Sequence, residues 1–259
     1  MIDRLPLNGF FTASQKRRFA AAAEERRSCR RFEGSLSISQ WAALGYAAQR
    51  SCLPGVRIVL GMCDDSFFKV SLVEPNRFSG VKRFAGLVAD MSDPFNVLLA
   101  GISGEAFVLA AADNGVSTCW VSQSYRKKES PITLASHEAL LSVIALGCPA
   151  KPEKDIKINR VSKPVERCVR GGSIIKWPEW AKSIAMAVRL APFHGSTQPW
   201  VLSHAGNTVF FYANDKYLLE TGIAMLHAEA VIQRSHLWSL AGGEMNTQVK
   251  VTVFDEDLG

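Results

Sequence analysis

The chain has 259 residues and a formal net charge of +6, and 47% of its residues are hydrophobic against 21% that are charged. This balance allows a sizeable core and excludes a disordered or low-complexity chain. The modest positive charge favours small anionic ligands such as phosphates and dinucleotides, and no basic tail supports nucleic-acid binding. No stretch reaches the roughly 18 apolar residues of a membrane-spanning helix and the N-terminus lacks an apolar signal core, so we expect a cytoplasmic protein without a membrane segment.

The six cysteines show no metal-binding pattern. None forms a Cys-x-x-Cys pair, and no histidine stands at zinc-finger spacing beside them. We therefore expect no metal site and interpret the cysteines as buried free thiols in a reducing compartment.

Two capping-box patterns open the first two predicted helices. The pattern from Thr12 to Gln15 starts a helix that ends near Arg26, and the pattern from Ser37 to Gln40 starts one that runs to about residue 49. Short apolar runs between turn signals then predict strands. The remaining elements predicted in the first half are strands over 57–62 and 84–91, a long helix over 94–114, a strand over 118–121, a helix near Ser136 and a strand over 143–146.

A charged segment over 151–163, poor in large apolar residues, marks the best internal boundary. We therefore expect a first lobe over 1–160 and a second over 161–259, together forming one compact unit. The elements predicted in the second lobe are a helix from Pro178, at its first position, to about Leu190, a loop over 191–199, a hairpin of strands 200–204 and 209–212 across Gly206-Asn207, a helix over 218–240 and a strand over 249–254.

The order of these elements predicts the fold class. Helices and strands do not alternate strictly, which indicates an α+β fold with mainly antiparallel central sheets flanked by helices. Each half has a helix, a strand pair, a long helix and a further strand, so we expect an internal duplication into two similar lobes.

A basic run, Arg26-Arg27-Ser28-Cys29-Arg30-Arg31-Phe32, is the first candidate binding motif. Arginine forks and a serine hydroxyl can bind the charged oxygens of a phosphate monoester. A solvated basic helix end is the plainer alternative. A nucleic-acid patch is a third, although the run lacks interleaved aromatic residues.

Two further segments could approach a flat ligand. The loop over 191–200, Ala-Pro-Phe-His-Gly-Ser-Thr-Gln-Pro-Trp, can place amides and small hydroxyls against a heteroaromatic ring, or it can simply connect two elements. Gly101 and Gly104 in the long helix, and the strand segment over 115–122, allow close backbone approach, with helix packing as the alternative.

Together these motifs resemble the nitroreductase flavoprotein family, and more narrowly its single-chain, two-lobed members. The basic run resembles the family's Arg-x-Ser-x-Arg segment followed by Phe, and the loop over 191–200 keeps the Ala-Pro start and the Gln-Pro-Trp end. The segment over 115–121 resembles Gly-Leu-Gly-Thr-Cys-Trp-Val, and Thr221 to His227 resembles a further family helix. The similarity runs from about residue 24 to 254. Phe193 replaces the family's Ser, Ser196 its Asn, and His194 is unusual there, which leaves substrate choice open.

The resemblance implies an FMN-dependent oxidoreductase that takes hydride from NADH or NADPH and reduces a small, electron-poor acceptor such as a nitroaromatic or a quinone by a ping-pong mechanism. No side-chain general base is required. Because the basic run occurs only in the first half and the Gln-Pro-Trp loop only in the second, we expect one site between the halves of a monomer. The implied FMN-binding residues are Arg26, Arg27, Ser28 and Arg30 at the phosphate, with Arg160 and Lys163 as weaker candidates, Ser122 or Gln123 through a backbone amide at N5, and Pro192, Phe193, His194, Ser196 and Gln198 in the ring-side loop.

Two other functions stay open from the sequence. A non-catalytic FMN-binding or flavin-sequestering protein of the same fold would share every motif. A basic nucleic-acid-binding module would instead show salt-dependent retention on DNA or RNA and no flavin.

Overall fold

The structure is a computed structural model that describes residues 5–68, 78–150, 164–193, 198–240 and 247–254. The helices and strands, in chain order, are α1 (Ala13–Glu25), α2 (Ile38–Arg50), β1 (Val56–Met62), β2 (Arg83–Asp90), α3 (Asn96–Asp113), β3 (Ser117–Val121), β4 (Glu138–Gly147), α4 (Glu179–Val188), β5 (Val201–Ala205), β6 (Thr208–Tyr212), α5 (Leu218–Val231), β7 (His236–Leu240) and β8 (Thr247–Val253). The predicted α+β class is confirmed, since both sheets are antiparallel throughout.

The chain divides into two compact units. One is Glu25–Arg160, and the other joins Met1–Glu24 to Val161–Gly259. The first 24 residues therefore belong with the second half, whereas the sequence pattern placed them in a lobe over 1–160. The cause is local bonding within that unit: the Asn8 amide donates to the Trp238 carbonyl at 3.0 Å, and the Lys16 ammonium lies 3.2 Å from a Glu229 carboxylate oxygen.

The first unit is a four-stranded sheet in the order β1-β2-β4-β3, with side chains packed on both of its faces. On one face, α2 and α3 contribute Leu44, Phe107 and Val108 to a core that includes Ala85 and Ile144 of the sheet. The opposite face is covered by an aromatic cluster from the connecting segments, which contains Phe67, Phe68, Phe78 and Tyr125.

Helix α3 is the most apolar helix of this unit. By length and composition it could cross a membrane, but 72% of its apolar window is buried inside the protein. That degree of burial is typical of a core helix in a globular domain. Gly115, with a φ of 68°, follows the helix in the left-handed region and lets the chain turn at once into β3, as the Asn-Gly pattern predicted.

The second unit repeats the connectivity of the first. Its sheet has the order β5-β6-β8-β7, which matches β1-β2-β4-β3 strand for strand, and α5 stands between the two hairpins as α3 does. One sheet face is buried, with Leu202, Phe211, Trp238 and Val251 all fully enclosed. The duplication that the order of elements suggested is therefore present in the topology.

Two sequence predictions of secondary structure are wrong. No helix forms near Ser136; β4 begins at Glu138 instead and pairs with β2 as far as Leu146. The helix predicted over 218–240 ends at Val231, and β7 follows it, paired with β8. In both places, pairing with a strand far along the chain outweighs the local preference for helix. A short sequence window does not contain that distant strand. A smaller difference is that Pro178 caps α4 rather than lying inside it.

Candidate functional site

The basic run is extended rather than helical. Helix α1 ends at Glu25, and from there the chain crosses the edge of the first unit's sheet. Ser28 forms a parallel bridge with Thr118 at the start of β3, and the Cys29 amide donates to the Thr118 carbonyl at 2.9 Å. Further along, the Phe32 amide donates to the Ser79 carbonyl at 2.9 Å. The run is thus fixed by backbone bonds on both sides, and it is not a solvated helix end.

A pocket of about 240 Å³ opens beside this segment in the first unit. Its lining comes from three places in the chain: the start of the basic run, the turn from α3 into β3, and the segment after β4. The lining residues are Glu25, Arg26, Arg27, Ala112, Gly115, Val116, Ser117, Thr118 and Pro149.

Arg26 is the one buried charged residue in the lining of this pocket. Only 7% of it is exposed, and its Nε and Nη1 atoms are fully buried without a hydrogen-bond partner among the described residues. A buried guanidinium without a counter-charge is costly, since buried charges are ordinarily paired. Thr118 in the same pocket is 1% exposed, and its Oγ1 also has no partner within the described chain. The arrangement therefore fits an anionic ligand that accepts these hydrogen bonds.

The charge of the lining supports the same conclusion. Arg27 is half-buried, with its Nη1 donating to the Arg26 carbonyl at 2.8 Å, and Glu25 is the single carboxylate against two arginines. The C-terminal end of a helix ordinarily repels an anion, because its last carbonyl groups have no hydrogen-bond partners within the helix. Here the Ala111 and Ala112 carbonyls accept from the amides of Val116 and Gly115 at 2.9 Å each, so they are already bonded.

The other residues that the sequence predicts at the phosphate lie outside the pocket lining or outside the described residues. Ser28 is half-buried and does not line the pocket, although its bridge to Thr118 directs both side chains to the same face of the sheet edge. Arg30 is exposed and also lies outside the lining. Arg160 and Lys163 lie outside the described residues.

Ser122 and Gln123 come directly after β3, as the sequence indicated. Ser122 is half-buried and Gln123 exposed, and neither lines the pocket. The preceding residue is fixed, because the buried Ser142 hydroxyl donates to the Val121 carbonyl at 3.1 Å. Their assignment to flavin N5 stays a prediction.

The ring-side loop belongs to the second unit. Pro192 and Phe193 are half-buried, and the Phe193 ring packs edge-on against Trp200 with centroids 6.2 Å apart. Gln198 is buried: its Nε2 donates to the Arg189 carbonyl at 3.0 Å, and its Oε1 lies 3.5 Å from the Cys168 thiol. The Gln198 side chain therefore ties the loop to the end of α4. His194 and Ser196 lie outside the described residues.

Sequence reasoning missed Thr118 and Gly115 as pocket residues. The segment over 115–121 carries a family-like motif and is predicted to allow close backbone approach, with packing as the alternative, but the pattern singles out neither residue as a ligand. A threonine at the start of a buried strand gives no signal by itself, because Thr is common in strands. In the structure Thr118 is bridged to Ser28, and it lines the same pocket as Arg26.

A crystal structure described as that of "a putative nitroreductase" from Thermotoga maritima matches with a TM-score of 0.63 and 18% sequence identity, covering 91% of this chain and 93% of that chain. The chain therefore has the nitroreductase fold. Residues 19–232 match the sequence profile of the family described as "Putative TM nitroreductase". The chain belongs to this family, which confirms the resemblance seen in the motifs.

Other solved structures cover about half of the chain. A nitroreductase family protein from Clostridium novyi NT is 15% identical over 52% of this chain and 87% of its own, with a TM-score of 0.43. An FMN-dependent nitroreductase from Clostridium difficile R20291 is 14% identical over 53% of this chain and 97% of its own, with a TM-score of 0.41. A comparison with curated proteins gave no significant match.

Proposed function

We propose that this chain binds FMN and acts as an oxidoreductase that takes hydride from NADH or NADPH and reduces a small, electron-poor acceptor in a ping-pong reaction. Family membership supports the reaction class, and one structurally similar protein is described as FMN-dependent. The observation that carries the proposal is the buried guanidinium of Arg26 in the first unit's pocket, whose Nε and Nη1 atoms have no hydrogen-bond partner among the described residues. We further propose a cytoplasmic monomer that needs neither a membrane nor nucleic acid.

The chain's own residues have a binding and positioning task in this proposal. Arg26 would donate from Nε and Nη1 to phosphate oxygens, and Arg27 would add positive charge at the pocket mouth. Ser28 and Arg30 are expected to contribute from the adjoining face and from the solvent side. Gln198, by tying its loop to α4, would keep Pro192 and Phe193 in a fixed conformation. FMN itself, when bound, supplies the hydride and electron transfer chemistry.

The first test of this proposal measures FMN binding. Flavin-free protein should bind FMN at micromolar concentration, observed by the visible spectrum and by quenching of flavin fluorescence. Arg26→Gln should weaken binding by roughly 10- to 100-fold, because hydrogen bonds to charged groups contribute about 1.5–3 kcal/mol. Absence of FMN binding by the unaltered protein would refute the proposal.

A matched control separates this effect from a general loss of positive charge. Arg31 lies five residues further along the same run, is exposed and does not line the pocket. Arg31→Gln removes the same charge and should change FMN affinity by less than about twofold, as expected for a screened surface residue. Equal losses in the two variants would show that net charge, rather than the Arg26 pocket, governs binding.

Rapid mixing of the FMN complex with NADH or NADPH then separates an enzyme from a flavin-binding protein. Bleaching of the flavin band, with recovery when a nitroaromatic or a quinone is added, is the expected result. A flavin band that stays unchanged with both donors would favour the non-catalytic alternative.

A further inference from the structure

The buried side-chain hydroxyl of Thr118 differs from other buried hydroxyls of the first unit in its hydrogen bonding. Two other buried hydroxyls of this unit are bonded: Ser142 donates to the Val121 carbonyl at 3.1 Å, and Ser103 accepts from the Leu53 amide at 3.0 Å. Within the described residues, Thr118 Oγ1 is the one fully buried hydroxyl oxygen without a hydrogen-bond partner. Valine has nearly the same shape and would fill a buried strand position without that cost. The hydroxyl therefore requires a reason outside packing.

The position of Thr118 supplies that reason. It lines the same pocket as Arg26, and its backbone carbonyl and strand bridge hold it against the segment around Ser28. Arg26 and Thr118 both line this pocket, and among the described residues each has buried side-chain donor atoms without a hydrogen-bond partner: Nε and Nη1 of Arg26 and the hydroxyl of Thr118. The terminal oxygens of a phosphate monoester accept hydrogen bonds from such donors.

We propose that the Thr118 hydroxyl binds the phosphate group directly and, with Arg26, makes this pocket a site for a phosphate monoester. The inference rests on the proposed function in that it takes FMN as the ligand. It differs from the pattern expected from the sequence, in which Arg26, Ser28 and Arg30 held the phosphate. Here β3 provides a ligand that the basic run alone does not.

The test compares Thr118→Val and Thr118→Ser with the unaltered protein, using FMN and riboflavin, which lacks the phosphate. Thr118→Val should weaken FMN binding about 10-fold and leave riboflavin affinity unchanged, because only the phosphate contact is lost. Thr118→Ser keeps the hydroxyl and should restore most of the FMN affinity. Equal loss for FMN and riboflavin, or no loss for FMN, would overturn the inference.

Stability measurements distinguish a role of Thr118 in ligand binding from a role in stabilising the fold. A hydroxyl without a protein partner stabilises nothing in the flavin-free protein, so Thr118→Val should keep or raise the melting temperature there. A hydroxyl that holds the fold would give a lower melting temperature, which would contradict the proposal. Thr133→Val serves as the matched control, since Thr133 is exposed in a loop of the same unit and should alter neither property.

Inorganic phosphate distinguishes failure of this inference from failure of the proposed function. If the unaltered protein binds no FMN but phosphate raises its melting temperature, and Thr118→Val abolishes that rise, the anion site stands and the flavin assignment fails. If the unaltered protein binds FMN and Thr118→Val binds it equally well, the flavin assignment stands and the role of Thr118 fails. If neither FMN nor phosphate affects the unaltered protein, both are refuted.

Discussion

Arg26, the residue proposed to bind the phosphate, is expected to reduce the stability of the flavin-free protein. Its guanidinium is buried at the end of α1 with two nitrogen atoms unpaired among the described residues. Removing an unpaired buried charge and filling its place with an apolar side chain of similar length is ordinarily favourable. Binding and stability should therefore change in opposite directions at this position.

We predict that Arg26→Met raises the free energy of unfolding of the flavin-free protein by roughly 1–3 kcal/mol while it abolishes tight FMN binding. Urea denaturation of the two proteins without ligand measures the first quantity. Arg31→Met, at an exposed position, should lie within about 0.5 kcal/mol of the unaltered protein. A large loss of stability in Arg26→Met would instead assign Arg26 to the folded core.

At the scale of elements, Arg57 on β1 and Glu138 at the start of β4 form a two-pronged ion pair, although β2 separates their strands. The Arg57 Nε and Nη2 atoms donate to the two carboxylate oxygens at 2.6 Å each, and Arg57 also donates to the Thr133 carbonyl at 2.8 Å. Glu138 further accepts from the Ala135 amide at 2.8 Å. The hydrogen bonds from Arg57 are the main reason that the pKa of Glu138 is lowered to about 2.

This ion pair predicts a contribution to acid stability. A carboxylate with a lowered pKa in the folded state stabilises it fully above the unfolded-state pKa of 4.5, and this contribution is lost as the pH falls towards 2. The fall in the free energy of unfolding between pH 4.5 and 2 should therefore be shallower in Glu138→Gln. Glu129→Gln, in an exposed pair with Arg126, is the control and should leave the slope nearly unchanged. An unaltered slope in Glu138→Gln would exclude the ion pair as a source of acid sensitivity.

At the scale of the whole molecule, a buried carboxylate joins the N-terminal helix to the second half of the chain. Glu229 on α5 is 2% exposed; its Oε1 lies 3.2 Å from the Lys16 ammonium, and its Oε2 bonds His236 at 2.7 Å and the Trp238 indole at 2.8 Å. The first unit has a corresponding contact, in which the Trp120 indole donates to Glu105 at 2.8 Å. The duplicated halves thus share a helix carboxylate bonded to a tryptophan of the following strand.

We predict that Glu229→Gln destabilises the protein by about 3–5 kcal/mol, because it leaves the buried Lys16 ammonium without its counter-charge. Thermal and urea denaturation measure this loss. The double variant Lys16→Met with Glu229→Gln should recover part of it, since no unpaired charge then remains. Glu179→Gln breaks an exposed pair with Lys182 and should cost less than about 1 kcal/mol. A small effect in Glu229→Gln would show that the N-terminal helix is held by apolar contacts instead.

The sequence by itself determined much of this protein. Capping boxes at Thr12 and Ser37 fixed two helix starts, the Gly206-Asn207 turn fixed a hairpin, and the order of elements gave the α+β class. These are local signals, carried by residues that contact each other within a few positions. The motif resemblance also identified the family correctly.

Only the tertiary structure decided the rest, because it depends on contacts between residues far apart in the chain. Pairing with β8 turned residues 236–240 into a strand inside a predicted helix, and Asn8 and Lys16 drew the N-terminal segment into the second half's unit. In the basic run, composition could not tell a buried arginine from an exposed one. In the structure Ser28 is bridged to Thr118, and Arg26 is buried whereas Arg30 is exposed. Arg26 and Thr118, which are 92 positions apart in the chain, line the same pocket.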